Sequence, residues 1–316
     1  MFEKVNPGHP DKMADRLAGA VVDLVYERAG GLTKANPRVA CEVMAGHGRV
    51  DVQIETSLGR MDLRAEDIDP LIHRLFGERV VGNVLIAPQD AHLSENQTRG
   101  LRCGDNGIFR GCPPTEEQRV LTAIAATIYG SIPYDGKYII NHHICEEDAK
   151  IKKWLFGRPP RVEWDVTICQ SHLPKGEEEH KLLQMLVDDY GIDGWKLINP
   201  LGEWTGGIDV DCGCTNRKLG SDMGDGVTGG GLMGKDLSKA DVSVNIVCYL
   251  KAVASGQVVT AMCSIGDESV TFVYADGRRE TETFADIVEM ARLYILTDCG
   301  GSFERFAEWG LIRAKE

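Results

Sequence analysis

Apolar positions recur with a helical period over residues 13–25, where Met13, Leu17, Ala20, Val21, Leu24 and Val25 form one stripe, the signature of an amphipathic helix. Pro10 suits the first turn of that helix, where a missing N–H costs nothing, so His9 and Asp11 flank its N-terminus. The period then drops to two. Residues 39–44 and 50–55 read as strands joined across Gly46-His47-Gly48, with Val50, Val52 and Ile54 alternating against Asp51, Gln53 and Glu55. Glu42 and Glu55 project from these paired strands, either as parts of a solvated face or as ligand-facing carboxylates. A helical pattern covers 64–76, and an apolar strand over 80–87 stops at Pro88. The polar stretch 89–102, rich in Asn, Gln, Ser and Gly, reads as a mobile loop.

Farther along come a Gly-Asp-Asn-Gly turn at 104–107, a helix near 116–129, a strand near 137–144 and a helix over about 177–189 that ends at Gly191. Residues 199–234 are glycine-rich without apolar periodicity, which predicts a long functional loop or set of turns. A helix over 239–254, strands near 257–265 and 269–275, and a helix near 284–295 follow. Strands and helices recur in each third without the regularity of repeated strand–helix–strand units, so the pattern favours α+β over a doubly wound sheet. No internal sequence repeat is evident.

Composition narrows the function classes. The 316-residue chain carries a net charge of −13, which argues against general nucleic-acid or anionic-membrane binding. Any polyanion must be held locally, where Lys, Arg and Gly concentrate. No apolar run reaches the roughly 18 residues of a membrane span, and the start lacks an apolar run behind a basic head, so a cytoplasmic protein is expected. Ten cysteines are scattered without a CxxC pair, and reduced, mostly buried thiols are expected.

Two segments carry candidate chemistry. Gly229-Gly230-Gly231-Leu232-Met233-Gly234-Lys235-Asp236 superficially fits the phosphate-cradling pattern GxxxxGK. Asp236 stands where that motif needs Ser or Thr, however, and no buried apolar strand precedes it. Arg217, Lys218, Lys235 and Lys239 still gather in sequence around these glycines, interspersed with Asp211, Asp236 and Asp241. These are cations for phosphate oxygens and carboxylates for Mg²⁺, or equally a solvated charged loop. Lys235 and Lys239 are spaced to share one face of a helix start. The second segment, Gly8-His9-Pro10-Asp11-Lys12, sits at a helix N-terminus, where the dipole favours anions and an aspartate can hold a bridging metal; simple helix capping is the alternative.

These elements also occur together in order. Val5-Asn6-Pro7-Gly8-His9-Pro10-Asp11-Lys12-Met13-Ala14-Asp15, Ala40-Cys41-Glu42, Gly104-Asp105-Asn106-Gly107, Asp135-Gly136-Lys137, Asn199-Pro200-Leu201-Gly202, Arg217-Lys218 and the run from Gly229 to Asp241 resemble the methionine adenosyltransferases. The resemblance runs through most of the chain. It implies an α+β fold of three intertwined subdomains in a pseudo-threefold arrangement, with approximate spans 1–100, 101–198 and 199–316. It implies a homodimer or dimer of dimers with active sites at the subunit interface. The implied reaction is attack of the methionine sulfur on C5′ of ATP, departure of the triphosphate and its hydrolysis to pyrophosphate and phosphate.

By the same resemblance His9 lies near the ribose and bridging oxygen, Asp11 and Asp241 hold two Mg²⁺ ions, and Lys137, Arg217, Lys218 and Lys235 grip the polyphosphate. Lys239 lies toward phosphate or the amino-acid carboxylate. Glu42 matches a K⁺-binding glutamate, and Glu3 a position at the edge of the site. Glu55 and Asp105 match positions for the methionine amino group and ribose, Asp211 another substrate contact, and Trp204 the aromatic that stacks on adenine. Ile265 matches an apolar contact beside the sulfur, though taken alone it reads as core. Gln89 matches a gate-loop glutamine. The chain departs from the family in length, in the gate loop, and at Glu203, Asn216 and Val242, where arginine, glycine and arginine are usual. A Mg-dependent nucleotide or polyphosphate hydrolase, transfer to a different thioether, or nucleotide binding alone are the alternatives.

Overall fold

The computed structural model describes residues 1–59, 61–98, 100–144 and 162–314. In chain order the first elements are β1 (Phe2–Val5), α1 (Pro10–Arg28), β2 (Val39–Gly46), β3 (Arg49–Thr56), α2 (Asp69–Phe76), β4 (Val81–Pro88), α3 (Ala91–Thr98) and β5 (Gly107–Gly111). Next come α4 (Glu116–Ser131), β6 (Gly136–Ile144), β7 (Val162–Gln170), α5 (Glu177–Asp188) and β8 (Lys196–Ile198). The remainder is β9 (Gly213–Cys214), α6 (Leu219–Met223), α7 (Ala240–Ser255), β10 (Val259–Cys263), β11 (Ser269–Tyr274), β12 (Arg279–Thr283), α8 (Phe284–Asp298) and α9 (Phe303–Trp309). The fold is mixed α and β, with three four-stranded sheets. Among the described residues no helix is long and apolar enough to cross a membrane.

The chain divides into two compact units. The smaller comprises Met1–His9, Thr115–Gly207 and Arg313–Glu316. Its sheet has the order β1-β6-β7-β8, antiparallel except for the parallel β7–β8 pair. Helix α4 packs on β1 and β6, burying Leu121, Ile124, Ala125 and Ile128. Its start is written locally. Thr115 Oγ1 accepts the Gln118 N–H while Gln118 Oε1 accepts the Thr115 N–H, so two otherwise orphaned donors are satisfied.

The larger unit, Pro10–Pro114 with Ile208–Ile312, holds the other two sheets, β4-β3-β2-β9 and β12-β11-β10-β5. Helix α1 covers β2 and β9, and α7 covers β5 and β10. Val39, Val43, Val50, Val52, Ile54, Val244, Ile246 and Phe272 contribute to the core. The β2–β3 hairpin turns at His47 (φ 50°) and Gly48 (φ 76°), the pair of left-handed residues that matches the right-handed twist of flanking strands. α9 crosses α1 closely because Gly19 has no side chain: a Cβ there would sit 2.5 Å from the Phe303 carbonyl oxygen.

Three expectations change. The expected 64–76 helix is divided into a single 3₁₀ turn (Ala65–Asp67) and α2, because Pro70 belongs in a first turn and the helix restarts at Asp69. The 89–102 stretch is not a plain loop but contains α3, whose first N–H groups, from His92 and Leu93, are accepted by Asp90 Oδ1. Ala91 and Leu93 are its only apolar residues and form no helical stripe, so it leaves no periodic trace in the sequence. The 199–234 stretch contains β9 and α6, with Ser221, Asp222 and Met223 buried.

A repeat of connectivity also emerges. Among the described residues, α1-β2-β3-α2-β4 and α4-β6-β7-α5-β8 both run helix, antiparallel strand pair, helix, parallel strand. Each sheet is completed by a strand from elsewhere in its own unit: β9, β1 and, in the third sheet, β5.

Candidate functional site

In the larger unit the candidate residues assemble around the start of α1. Asp11 lies in its first turn, buried, and Oδ1 accepts the Cys214 N–H at 2.9 Å. Asp11 therefore ties β9 to the helix end. The approach is close enough that a Cβ on Gly213 would fall 2.0 Å from the Pro10 carbonyl oxygen. Arg217 and Lys218 follow β9, the guanidinium 3.7 Å from Asp11 Oδ1 and the ammonium 3.8 Å from Oδ2. Two cations thus face one carboxylate at the positive end of a helix dipole.

Behind this lies a buried ionic triad. The Lys12 ammonium is 3.1 Å from Asp15 Oδ2 and 2.7 Å from Asp222 Oδ1, all fully buried. Burial by itself would lower the Lys12 pKa, but the two carboxylates outweigh it and raise it. The Asp15 carboxyl is pushed up to about 7 by burial, with Asp222 adding to the rise and Lys12 opposing it. Asp15 Oδ1 also accepts the Asn216 N–H at 2.7 Å, immediately before Arg217.

The glycine-rich run does not form a strand–loop–helix phosphate cradle. Lys235 bridges to Ala40 of β2, and the Cys41 N–H donates to the Gly234 carbonyl. Asp236 is buried, its carboxylate accepting the Val39 and Ser238 N–H groups at 2.8 Å each, so it is committed to the backbone. Lys235 Nζ lies 2.7 Å from Asp241 Oδ2, in the first turn of α7. Lys239 precedes that helix and Lys235 lies outside it, so the two do not share a helix face. Among the described residues no carboxylate holds the Lys239 ammonium. Glu42 and Glu55 lie on the exposed face of the β2–β3 pair, Glu55 opposite Ala40, and Glu42 Oε2 accepts the Thr215 hydroxyl. Asp211 is exposed and accepts the Cys212 N–H.

Asp105, Ile265 and Gln89 lie elsewhere in this unit. Asp105 lies in an exposed turn whose Asn106 Oδ1 accepts the Ile265 N–H at 2.8 Å, joining the 104–107 turn to the turn around Ile265. Ile265 is 55% exposed and so is not core. Gln89 leaves β4, its N–H donated to Thr56 and its Nε2 3.4 Å from Gln97 Oε1 on α3.

In the smaller unit, buried polar side chains link the remaining candidates. Asn6 Oδ1 accepts the Gly8 and Gly136 N–H groups, and its Nδ2 donates to the Tyr134 carbonyl. This draws the segment leading to His9 against the residue preceding Lys137. Asp135 Oδ2 accepts the Gly207 N–H, and a Cβ on Gly206 would meet Asp135 Cβ and the Trp204 ring at 2.9 Å each. Trp204 is partly buried and His9 nearly fully so. Lys137 pairs with Glu3 across the β1–β6 ladder at 2.9 Å.

The donor chemistry suits a hard divalent cation that takes most of its ligands from a polyphosphate. Asp11 and Asp241 each present a carboxylate beside cations, and among the described residues no cluster of three metal-ligating side chains occurs. Mg²⁺ characteristically accepts one or two carboxylates and completes its shell with phosphate and water oxygens. Room at Asp241 is kept by Gly230, whose Cβ would fall 2.0 Å from Oδ1. Sequence reasoning missed Thr215 and the structural role of Asn216, neither of which carries a charge to draw notice.

Comparison with known proteins follows this geometry. No protein-family model matches the chain. It is 27% identical over 280 residues to an S-adenosylmethionine synthase of Jannaschia sp. (strain CCS1), covering 76% of this chain and 69% of the relative. It is 26% identical over 328 residues to an S-adenosylmethionine synthase of Helicobacter pylori (strain HPAG1), covering 93% and 80%. Among solved structures it matches an unusual S-adenosylmethionine synthetase from Campylobacter jejuni with a TM-score of 0.65 and 20% identity, over 98% of this chain and 93% of that one.

Proposed function

We propose that this chain, a divergent relative of the S-adenosylmethionine synthases over most of its length, is a methionine adenosyltransferase that forms S-adenosylmethionine from ATP and L-methionine. The observation that carries the reading is the set of Arg217, Lys218 and Lys235 beside Asp11 and Asp241 on one glycine-lined surface of the larger unit. In an acidic protein such a concentration of positive charge has a local purpose. A departing triphosphate is the kind of group it would stabilise.

In this reading the sulfur lone pair attacks C5′, the C5′–O bond breaks, and the electron pair leaves on the triphosphate. Arg217, Lys218 and Lys235 balance the charge that develops there. His9 donates toward the leaving oxygen, and Trp204 stacks on adenine. Asp211 contacts substrate; Glu55, Asp105, Lys239, Ile265 and Gln89 serve the methionine side. Asp11 and Asp241 would hold Mg²⁺, which supplies charge neutralisation on the phosphate oxygens, and Glu42 would contribute an oxygen to K⁺. The ion pairs that Lys137 makes with Glu3 and Lys235 with Asp241 keep these cations oriented before phosphate arrives. A second copy of the chain completes the assembly in this reading. Exposed Met44, Leu85, Ile108 and Met262 on outer sheet faces are surfaces that a protomer interface would cover.

Incubation with ATP, Mg²⁺ and K⁺, with and without methionine, tests the proposal when adenosyl products and phosphate release are followed together. Methionine-dependent S-adenosylmethionine with pyrophosphate and phosphate is expected. Phosphate release without adenosyl transfer would replace this reading with a nucleotide or polyphosphate hydrolase.

A further inference from the structure

Two cationic arms approach the candidate phosphate site from different stretches of chain: Arg217–Lys218 after β9, and Lys235 after the glycine run. Each arm has its own carboxylate, Asp11 for Arg217 and Lys218 and Asp241 for Lys235, so the spacing between the arms must be set by something else. One uncharged residue touches both stretches. Asn216 Oδ1 accepts the Met233 N–H at 2.8 Å and its Nδ2 donates to the Met233 carbonyl at 3.2 Å. This two-point pairing joins the residue before Arg217 to the residue two before Lys235.

Three further features single out the clasp. Asn216 adopts a left-handed φ of 61°, which asparagine tolerates better than most residues. Its N–H is anchored on Asp15 of the buried triad at 2.7 Å, so its backbone is tied to α1 beside Asp11. Finally, the pocket for its side chain is bare backbone. A Cβ on Gly231 would fall 2.2 Å from Asn216 Cγ, and the three atoms nearest to that point all belong to Asn216. The glycine at 231 makes room for the amide, and the amide in turn fixes the loop.

We propose that Asn216 is a positioning residue that sets the spacing of the Arg217–Lys218 and Lys235 arms for a linear triphosphate, a proposal that rests on the phosphate-site reading above. Its contribution is preorganisation. The cost of ordering the loop is met during folding, so triphosphate binding does not bear it again.

Binding of inorganic tripolyphosphate with Mg²⁺, measured by titration calorimetry well below the melting temperature, separates the outcomes for the full chain and three variants. Asn216→Gly removes the side chain without straining the left-handed backbone and is expected to weaken binding about tenfold, the loss of a paired contact and its ordering. KM for ATP should rise in parallel while KM for methionine stays unchanged, a split that a general loss of stability would not produce. Gly231→Ala expels the amide and should weaken binding to a similar extent in the wild-type background. In the Asn216→Gly background the same change should have no further effect, because the collision is gone. Equal cost of Gly231→Ala in both backgrounds, or wild-type binding by Asn216→Gly, overturns the assignment alone. A wild-type chain that does not bind tripolyphosphate overturns the phosphate-site reading and this assignment with it. Should Asn216→Gly fold poorly, Gly231→Ala alone carries the test, and wild-type tripolyphosphate binding by that variant overturns the assignment.

Discussion

Lys235 and Asp236 are neighbours in the chain, yet one is a half-buried cation beside Asp241 and the other a buried acceptor for two backbone N–H groups. Their substitutions should separate accordingly. Lys235→Met is expected to lower both adenosyl transfer and triphosphate cleavage, by about 10²–10³-fold in kcat, if the cation acts on the departing charge. Single-turnover assays of both steps check this, and loss of transfer alone would move Lys235 toward the methionine side. Asp236→Ala should instead leave two buried donors unmet and cost about 2–4 kcal/mol of stability, taking 1–2 for each, read from urea denaturation. Both residues stand in one glycine-lysine run in the sequence, which carries no mark of which side chain turns inward. That choice is made by β2, whose Val39 N–H reaches Asp236 and whose Ala40 pairs with Lys235.

Elements were legible where their signals were local. The β2–β3 hairpin followed from alternation and a His-Gly turn, and α1, α4, α7 and α8 from apolar spacing or caps. For α4 the cap is testable: Thr115→Ala is expected to cost about 1 kcal/mol and Thr115→Asp much less, measured by chemical denaturation. Elements lacking such signals were hidden. α3 has no apolar stripe, and β9 is two residues long, existing only because Met44 and Ala45 of β2 pair with it. β1 and β5 are short strands whose partners β6 and β10 lie more than a hundred residues away. A one-dimensional pattern does not record that pairing.

At the scale of the molecule, the buried Lys12–Asp15–Asp222 triad couples stability to pH. In the unfolded chain Asp15 titrates near about 4; in the folded protein burial moves it to about 7. The folded state therefore binds the extra proton between these values, and the contribution of Asp15 to stability falls as pH rises from about 4 to about 7. Asp15→Asn should remove that slope. Urea midpoints at pH 5 and pH 7.5 check it: the wild type is expected to lose more stability over that interval than the variant, and equal losses would show that Asp15 titrates normally. This triad also explains why the segment after His9 matters beyond its two ligand-like residues. Lys12 and Asp15, one and four residues on from Asp11, hold Asp222 and the Asn216 backbone in place.

The sequence by itself determined the mixed α and β class, the locally signalled helices and hairpin, and the two segments where charge and glycine concentrate, because helical periods, turn residues and composition are properties of neighbours along the chain. Only the tertiary structure decided which carboxylates face cations and which cap backbone, that the glycines serve close approach at Pro10, Asn216 and Asp241, and that Ile265 is exposed. Burial and hydrogen-bond satisfaction are fixed by segments hundreds of residues apart in sequence, so the role of a charged side chain is settled by what packs over it.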